Sequence, residues 1–347
     1  MDENNEIKEF LKTNEKSHFL QSPEWTKVKT EWENEFIVIR DEKGNITGTM
    51  SILLRKVPVF KRYIMYAPRG FVCNIDDKET LKKMTEEVKK IAKKYNAFIF
   101  RLDPDISNEN TEFKDIMINL GYKFKKKIKN IDQVVQPKYV FRLSLKDKTE
   151  EELLKSFNEK TRYNVRLATR KGVKVVEGTI EDLPAFYDIM KKTGSRDNFF
   201  IRPISYFEKV FKELSPEHAK LLFAEYEGEK IAGVMPIMYG NKVWYLYGGS
   251  SNEHRNLMPN YLLQYEMMKW GLKENCETYD FRGVSGFKDP KDPAYGVYKF
   301  KKGFNGEFVE FVNELYMVFD PFINTMFNIS QWLYIKYLII KDKLKRK

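Results

Sequence analysis

One pattern written twice constrains this chain more than any other feature. Ile46-Thr47-Gly48-Thr49-Met50-Ser51-Ile52 returns as Ile231-Ala232-Gly233-Val234-Met235-Pro236-Ile237. Tyr66 returns as Tyr247, and Phe100-Arg101 as Phe281-Arg282, at almost the same offset. Three local matches at nearly one spacing argue for an internal duplication, so the fold must be one that a half-length unit adopts twice. The 347 residues leave room for two such units, and 42% hydrophobic with 15% aromatic residues supplies a core for each.

Each copy reads as mixed α/β. Alternating apolar residues predict strands over 34–40, 45–56, 62–67 and 97–102, with the turn Glu42-Lys43-Gly44-Asn45 after the first and a helix over 77–95. A further strand is expected at 138–144. The second half predicts helices over 149–171, 180–193 and 203–213, then strands over 220–226, 230–239 and 242–248. A helix over 257–273, a strand over 277–282 and a terminal helix over 325–345 complete it. In both copies a turn-linked hairpin leads to a third strand, a helix and a fourth strand. That order resembles an acyltransferase core of the GNAT type.

Acyl-CoA enzymes of that type carry Q/R-x-x-G-x-G/A where the third strand meets its helix, so that backbone N–H groups approach a pyrophosphate. Here Arg255-Asn256-Leu257-Met258-Pro259-Asn260 holds the place, with Met258 and Asn260 at the small positions. Arg69-Gly70-Phe71-Val72 in the first copy does no better. An acyl-CoA donor is disfavoured.

The net charge of +11 permits a polyanionic partner without identifying one. Two distant cysteines, Cys73 and Cys276, fit a reducing cytosol, and three scattered histidines argue against a metal cluster. The acidic start has no apolar signal core and no apolar run reaches membrane-spanning length, so a soluble cytoplasmic protein without metal or organic cofactor is expected.

Four segments resemble the Fem family of peptidoglycan-bridge aminoacyltransferases. They are Phe19-Leu20-Gln21-Ser22-Pro23-Glu24-Trp25 through Lys29, Thr161-Arg162-Tyr163-Asn164-Val165-Arg166, Tyr279-Asp280-Phe281-Arg282-Gly283 through Gly286, and Tyr295 through Phe304. The run Asp289-Pro290-Lys291-Asp292-Pro293 stands before the last. The resemblance implies two tandem GNAT-like domains, the last segment packing back on the first. We place the first domain at 1–143 with 312–347, and the second at 144–311. The family's coiled-coil arm is not expected, because no long heptad insert appears.

The resemblance also implies a reaction: a stem-peptide amine of a peptidoglycan precursor attacks the ester of aminoacyl-tRNA. The acceptor would be UDP-MurNAc-pentapeptide or lipid II. Lys301 matches the functional lysine, able to neutralise an oxyanion or the departing ribose hydroxyl, with Phe300 beside it. Lys29, Arg202 and Tyr206 match the precursor site, and Asp103 the acidic residue near the stem peptide. Where some relatives have Tyr five residues before that aspartate, this chain has Phe98. Tyr245 and Tyr247 alternate with Leu246, which predicts that both face one side, groove or core. Arg162, Arg166 and Arg170 fall on one helical stripe, either a phosphate track for tRNA or an ordinary solvated face. The basic end after Trp332 either touches the inner membrane surface or packs on the first domain. A GNAT-fold transferase with another donor or acceptor and a non-catalytic RNA- or precursor-binding protein remain the alternatives.

Overall fold

The computed structural model describes residues 2–125, 135–197, 199–286, 290–292 and 294–345. Its residues divide into two compact units, each containing one copy of the repeat. The first-copy unit comprises Glu31–Asp105, Asn110–Lys126 and Asn313–Lys347; the second-copy unit comprises Met1–Thr30, Ile106–Glu109 and Lys127–Val312.

The chain begins in the second-copy unit with α1 (Glu3–Thr13), a turn at Phe19–Gln21 and α2 (Pro23–Val28). Asp2 and Ser22 accept hydrogen bonds from the free N–H groups at the starts of these two helices. Phe19 packs 5.1 Å from Trp244 and 5.2 Å from Trp25, all buried. That aromatic contact moves the first thirty residues out of the expected 1–143 domain.

The first-copy unit then runs β1 (Glu33–Arg40), β2 (Ile46–Val57), β3 (Arg62–Arg69), β4 (Val72–Cys73), α3 (Lys78–Lys94) and β5 (Ala97–Pro104). It continues with α4 (Thr111–Asn119) and β6 (Lys123–Phe124). Antiparallel β1-β2-β3 joins β5 in parallel, and the sheet order is β1-β2-β3-β5-β14-β6. Here β14 (Leu315–Val318) returns late in the sequence to pair with β5, ahead of the last helix, α11 (Pro321–Lys345).

The second-copy unit holds β7 (Tyr139–Ser144), α5 (Glu150–Ser156), α6 (Glu159–Arg170), β8 (Lys174–Gly178), α7 (Leu183–Asp197) and α8 (Ile204–Leu214). After these come β9 (Leu221–Tyr226), β10 (Glu229–Tyr239), β11 (Lys242–Ser250), α9 (Pro259–Lys273), β12 (Thr278–Gly283), α10 (Tyr295–Lys302) and β13 (Glu307–Glu310). The sheet order is β13-β7-β12-β11-β10-β9-β8. Antiparallel β9-β10-β11 joins β12 in parallel, repeating β1-β2-β3-β5. The duplicated sequence is a duplicated GNAT-like sheet.

Three expectations change. β7 pairs with β12 and β13, so 139–144 belongs to the second copy and not to the first. The helix expected over 149–171 is two helices: Phe157 and Asn158 are extended, and the Asn158 side chain caps the second by accepting from Thr161 N–H at 2.9 Å. The helix expected from 257 starts at Pro259, because Met258 is left-handed (φ 59°) after a short turn at Arg255–Leu257. Short or unperiodic elements such as α1, α2, α10 and β13 were not anticipated. No described helix is long and apolar enough to cross a membrane.

Candidate active site

The two copies differ where their parallel strands meet. In the first copy β3 and β5 stay paired from Tyr63↔Ala97 to Arg69↔Pro104. In the second, β11 and β12 pair only over Lys242↔Thr278, Val243↔Tyr279 and Trp244↔Asp280, and then part. Two local devices accompany the parting. β11 takes one extra residue, Leu246, between the partners of Met235 and Pro236, a bulge that alters the strand's alternation. On β12, Arg282 is left-handed (φ 61°), its N–H bonded to Asp280 Oδ1 at 2.7 Å.

Lys301 points its amine at β12 beyond its last pair with β11. Nζ donates to Phe281 O at 2.5 Å and to Gly283 O at 2.8 Å, with the residue only 5% exposed. Tyr245 lies beside it, Nζ 5.6 Å from the ring centroid. Burial depresses the Lys301 pKa to about 7; the Asp280 carboxylate opposes that shift and the Arg282 guanidinium adds to it. Asp280, 2% exposed, accepts from Arg142 Nε at 2.8 Å. Burial pushes the Tyr245 hydroxyl up to about 12, so it stays protonated at neutral pH.

Helix α10, which carries Lys301, is fixed at both ends by motif residues. At its start Asp292 accepts from the Ala294 N–H at 2.8 Å and from the Ser285 hydroxyl, joining the helix to the segment leaving β12. Asp289 and Pro293 of that motif lie outside the described residues. At its end Gly303 O accepts from Asn158 N–H at 3.1 Å, and a Cβ on Gly303 would come 2.4 Å from Thr161 Oγ1. Only glycine permits that approach. Phe300 sits half-buried against Tyr261 (4.9 Å) and Phe304 (5.4 Å), packed on the core cluster.

A second group of expected residues assembles around α8. Tyr206 presents one ring to two cations: Lys29 Nζ lies 5.1 Å from its centroid and Arg202 Cζ 4.6 Å. Lys29 also lies 5.7 Å from the Trp25 ring, and Tyr247 donates to the Tyr206 hydroxyl at 3.2 Å. Lys29, expected in the first domain, therefore joins Arg202 and Tyr206 within one unit. Exposed Arg202 and half-buried Lys29 form a cationic pair backed by aromatic faces, suited to a phosphate or carboxylate.

Tyr245 and Tyr247 do not share a face. Tyr245 packs on the cluster built with α9, whereas Tyr247 packs 5.1 Å from Phe207 of α8. The bulge at Leu246 breaks the alternation on which the expectation rested. The arginine stripe is also divided: Arg162 donates to Lys155 O (2.9 Å) and Phe157 O (3.3 Å), capping α5, while Arg166 and Arg170 remain exposed.

Asp103 lies in the first-copy unit, where it bridges β3 and β5. Its Oδ2 accepts from Tyr66 OH at 2.7 Å and its Oδ1 from Arg69 N–H at 3.0 Å. Burial raises its pKa to about 6, against the lowering effect of Arg69 and of both hydrogen bonds. Phe98 is fully buried and packs 5.3 Å from Phe327 of α11, so the ring at that position supports the terminal helix.

Asp280, Arg142, Arg282 and Asp292 were not singled out as site residues from the sequence. Asp280, Arg282 and Asp292 stand in segments that carry the family resemblance. Arg142 lies on a neighbouring strand, and its pairing with Asp280 has no local sequence signal.

A family model described as the FemAB family matches residues 3–230 and 225–331. Lipid II:glycine glycyltransferase of Staphylococcus aureus (strain MRSA252) is 29% identical over 416 aligned positions, covering 99% of this chain and 98% of that protein. The alignment is longer than this chain, so the relative carries sequence with no counterpart here. A solved structure titled "Crystal structure of FemX" superposes with a TM-score of 0.87 at 27% identity, covering 94% of this chain and 98% of that one. A tandem GNAT protein from the clavulanic acid biosynthesis pathway superposes with a TM-score of 0.50 at 9% identity over 92% of this chain and 95% of that one, a likeness of fold alone.

Proposed function

The chain belongs to the FemAB family, and from that premise we propose that it is an aminoacyltransferase extending the stem peptide of a peptidoglycan precursor, with aminoacyl-tRNA as donor. The observation that carries this reading is the buried Lys301 amine, held by two β12 carbonyls where the second-copy sheet opens.

In the transfer, the stem-peptide amine attacks the ester carbonyl of the donor. The new C–N bond forms, the C–O bond breaks, and the ribose hydroxyl leaves with a proton. An amine with a pKa near 7 can neutralise the tetrahedral oxyanion while charged and exchange the proton released by the nucleophile. Its two anchoring carbonyls leave one N–H of an ammonium free of them for the reacting oxygen. Lys29, Arg202 and Tyr206 hold the acidic part of the precursor, with Tyr247 fixing Tyr206. Exposed Arg166 and Arg170 are assigned to the tRNA backbone, and Arg162 to folding.

The start of α9 supports a donor other than acyl-CoA. Pro259 offers no N–H at the first helical position, and Met258 brings a side chain where a cradle would need none. The relatives' name points to glycine as the transferred residue and lipid II as the acceptor. A lipid-linked acceptor would bring the reaction to a membrane surface on the cytoplasmic side.

The test is transfer of labelled glycine from glycyl-tRNA to lipid II and to UDP-MurNAc-pentapeptide, with Lys301→Met in parallel. Acceptor-dependent incorporation that disappears in the variant is expected. A folded protein that transfers no amino acid from any charged tRNA to either acceptor overturns the reading.

A further inference from the structure

The first turns of α11 are well anchored. Asp320 caps the helix by accepting from Ile323 N–H at 3.0 Å and pairs with Arg62 at 3.2 Å. Phe327 then packs on Phe98 and lies 6.4 Å from Phe60. Phe322 and Met326 are already exposed, and beyond Phe327 every described side chain of the helix is. Ile329, Trp332, Leu333, Tyr334, Ile335 and Tyr337 are each about half exposed, between 48% and 58%. Trp332 to Ile335 are consecutive, so they point to all sides of the helix, and no single neighbour within the unit could cover them.

The charge of this segment is as uneven as its hydropathy. Lys336, Lys341, Lys343 and Lys345 are interleaved with or follow the apolar residues, against the single acid Asp342. Lys336 lies 5.7 Å from the Trp332 ring and Lys341 5.8 Å from the Tyr337 ring, each one turn along the same helix. A second copy of this chain would bring like charges together on this surface. An anionic lipid surface complements both features: aromatic rings suit the headgroup layer and lysines reach its phosphates. The apolar stretch from Trp332 to Ile340 spans roughly 14 Å of helix, far short of a bilayer's hydrocarbon core.

We propose that the C-terminal half of α11 is an interfacial anchor that seats the protein on membranes containing anionic phospholipid. The helix inserts Trp332, Leu333 and Ile335 at the headgroup–acyl boundary, and the lysines hold the lipid phosphates. This anchor does not depend on the identity of the transfer reaction.

The test is flotation of the full chain with vesicles of phosphatidylcholine alone and with about one third phosphatidylglycerol added. A variant carrying Trp332→Ser, Leu333→Ser and Ile335→Ser together, and one carrying Lys336→Glu with Lys341→Glu, are compared at equal concentration. Binding to the anionic vesicles is expected to exceed binding to neutral ones by at least about tenfold, and either variant to lose about tenfold or more. Transfer to the soluble UDP-linked acceptor is expected to be unchanged in both, which separates loss of anchoring from loss of folding. Absence of flotation by the wild-type chain, equal binding to both vesicle types, or undiminished binding by the triple variant overturns the proposal. So does a lipid-free dimer that the triple variant abolishes, since it would identify a second copy as the occupant. Flotation without any detectable transfer would support the anchor while counting against the proposed reaction.

Discussion

The two copies of the repeat begin from the same strand order and end with opposite edges. In the first, Asp103 closes the pair: it takes the Tyr66 hydroxyl and the Arg69 N–H, and β3 remains paired to β5 as far as Arg69↔Pro104. By the offset that aligns Tyr66 with Tyr247, the position of Asp103 falls on Val284, a buried apolar residue that cannot bridge the strands. The second copy therefore lacks the closing carboxylate, adds a bulge in β11, and places the Lys301 amine on carbonyls of β12 past its last pair with β11. Duplication supplied one scaffold, and a few residues left one copy paired to the end of its strands and the other parted beside a buried amine.

The strongest way to break this comparison is Lys301→Met. Transfer is expected to fall by about 10²–10⁴-fold, measured as kcat/KM with saturating donor. Stability should move the other way. The folded-state pKa of Lys301 lies near 7 against an ordinary 10.5, so the cost of burying the charge is complete below pH 7. As pH rises from 7 towards 10.5 the folded chain holds a neutral amine while the unfolded chain is still protonated, and that cost declines. Relative to wild type, the variant should thus be most stable at pH 6, keep only part of that advantage at pH 9 and lose the rest towards pH 10.5 in thermal unfolding. A variant destabilised equally at both pH values would show that the amine is a structural staple.

Arg202→Ala or Lys29→Ala is expected to raise KM for the acceptor about 10–100-fold while kcat changes little, the loss of a charge-assisted contact made equally in ground and transition states. A fall in kcat alone would place these residues at the reacting centre instead.

Gly248→Ala sharpens the comparison within the open copy. An added Cβ would come 2.5 Å from the Tyr245 ring, which cannot bend, so the ring must leave its place beside Lys301. Activity is expected to drop about tenfold with a loss of about 1–2 kcal/mol in stability.

The smallest effect on turnover is expected from Asp103→Asn in the closed copy: transfer within about threefold, stability lower by about 1–3 kcal/mol, because an amide NH2 replaces one of the two oxygens that accept from the Tyr66 hydroxyl and the Arg69 N–H. The pH trend has a definite sign. The folded Asp103 pKa near 6 exceeds the ordinary 3.8, so wild type bears the cost of a buried carboxylate above pH 6 and sheds it as pH falls towards 3.8. The asparagine variant cannot gain a proton, and its deficit in unfolding free energy should widen on acidification. Transfer abolished with stability intact would show that the closed copy also contributes to the chemistry.

Much of this was legible in the residues. The repeat gave the two sheets, strand periodicity gave β1, β2, β3, β5, β7, β9, β10, β11 and β12 within a few residues but not β4, β6, β8, β13 or β14, and the resemblance placed weight on Lys301, Arg202 and Tyr206. Other features left no local trace. Asn158 reads as one more residue in a helical stretch until its side chain is seen capping α6. Gly303 has an α-helical φ of −60°, so its need for glycine comes only from Thr161 pressing against it. Arg162 belongs to a regular stripe by spacing, yet its guanidinium is committed to the carbonyls ending α5.

The sequence alone determined the fold class, the duplication and the absence of a glycine cradle, because these depend on periodicity and composition within short windows. Tertiary structure decided which copy opens, that Lys29 joins the second-copy unit, and that Tyr245 and Tyr247 part to opposite faces. Each of those outcomes depends on strand pairing between distant segments. An alternating pattern reports which side of a strand is buried, but an inserted residue at Leu246 or a left-handed Arg282 acquires its effect only from the strand beside it.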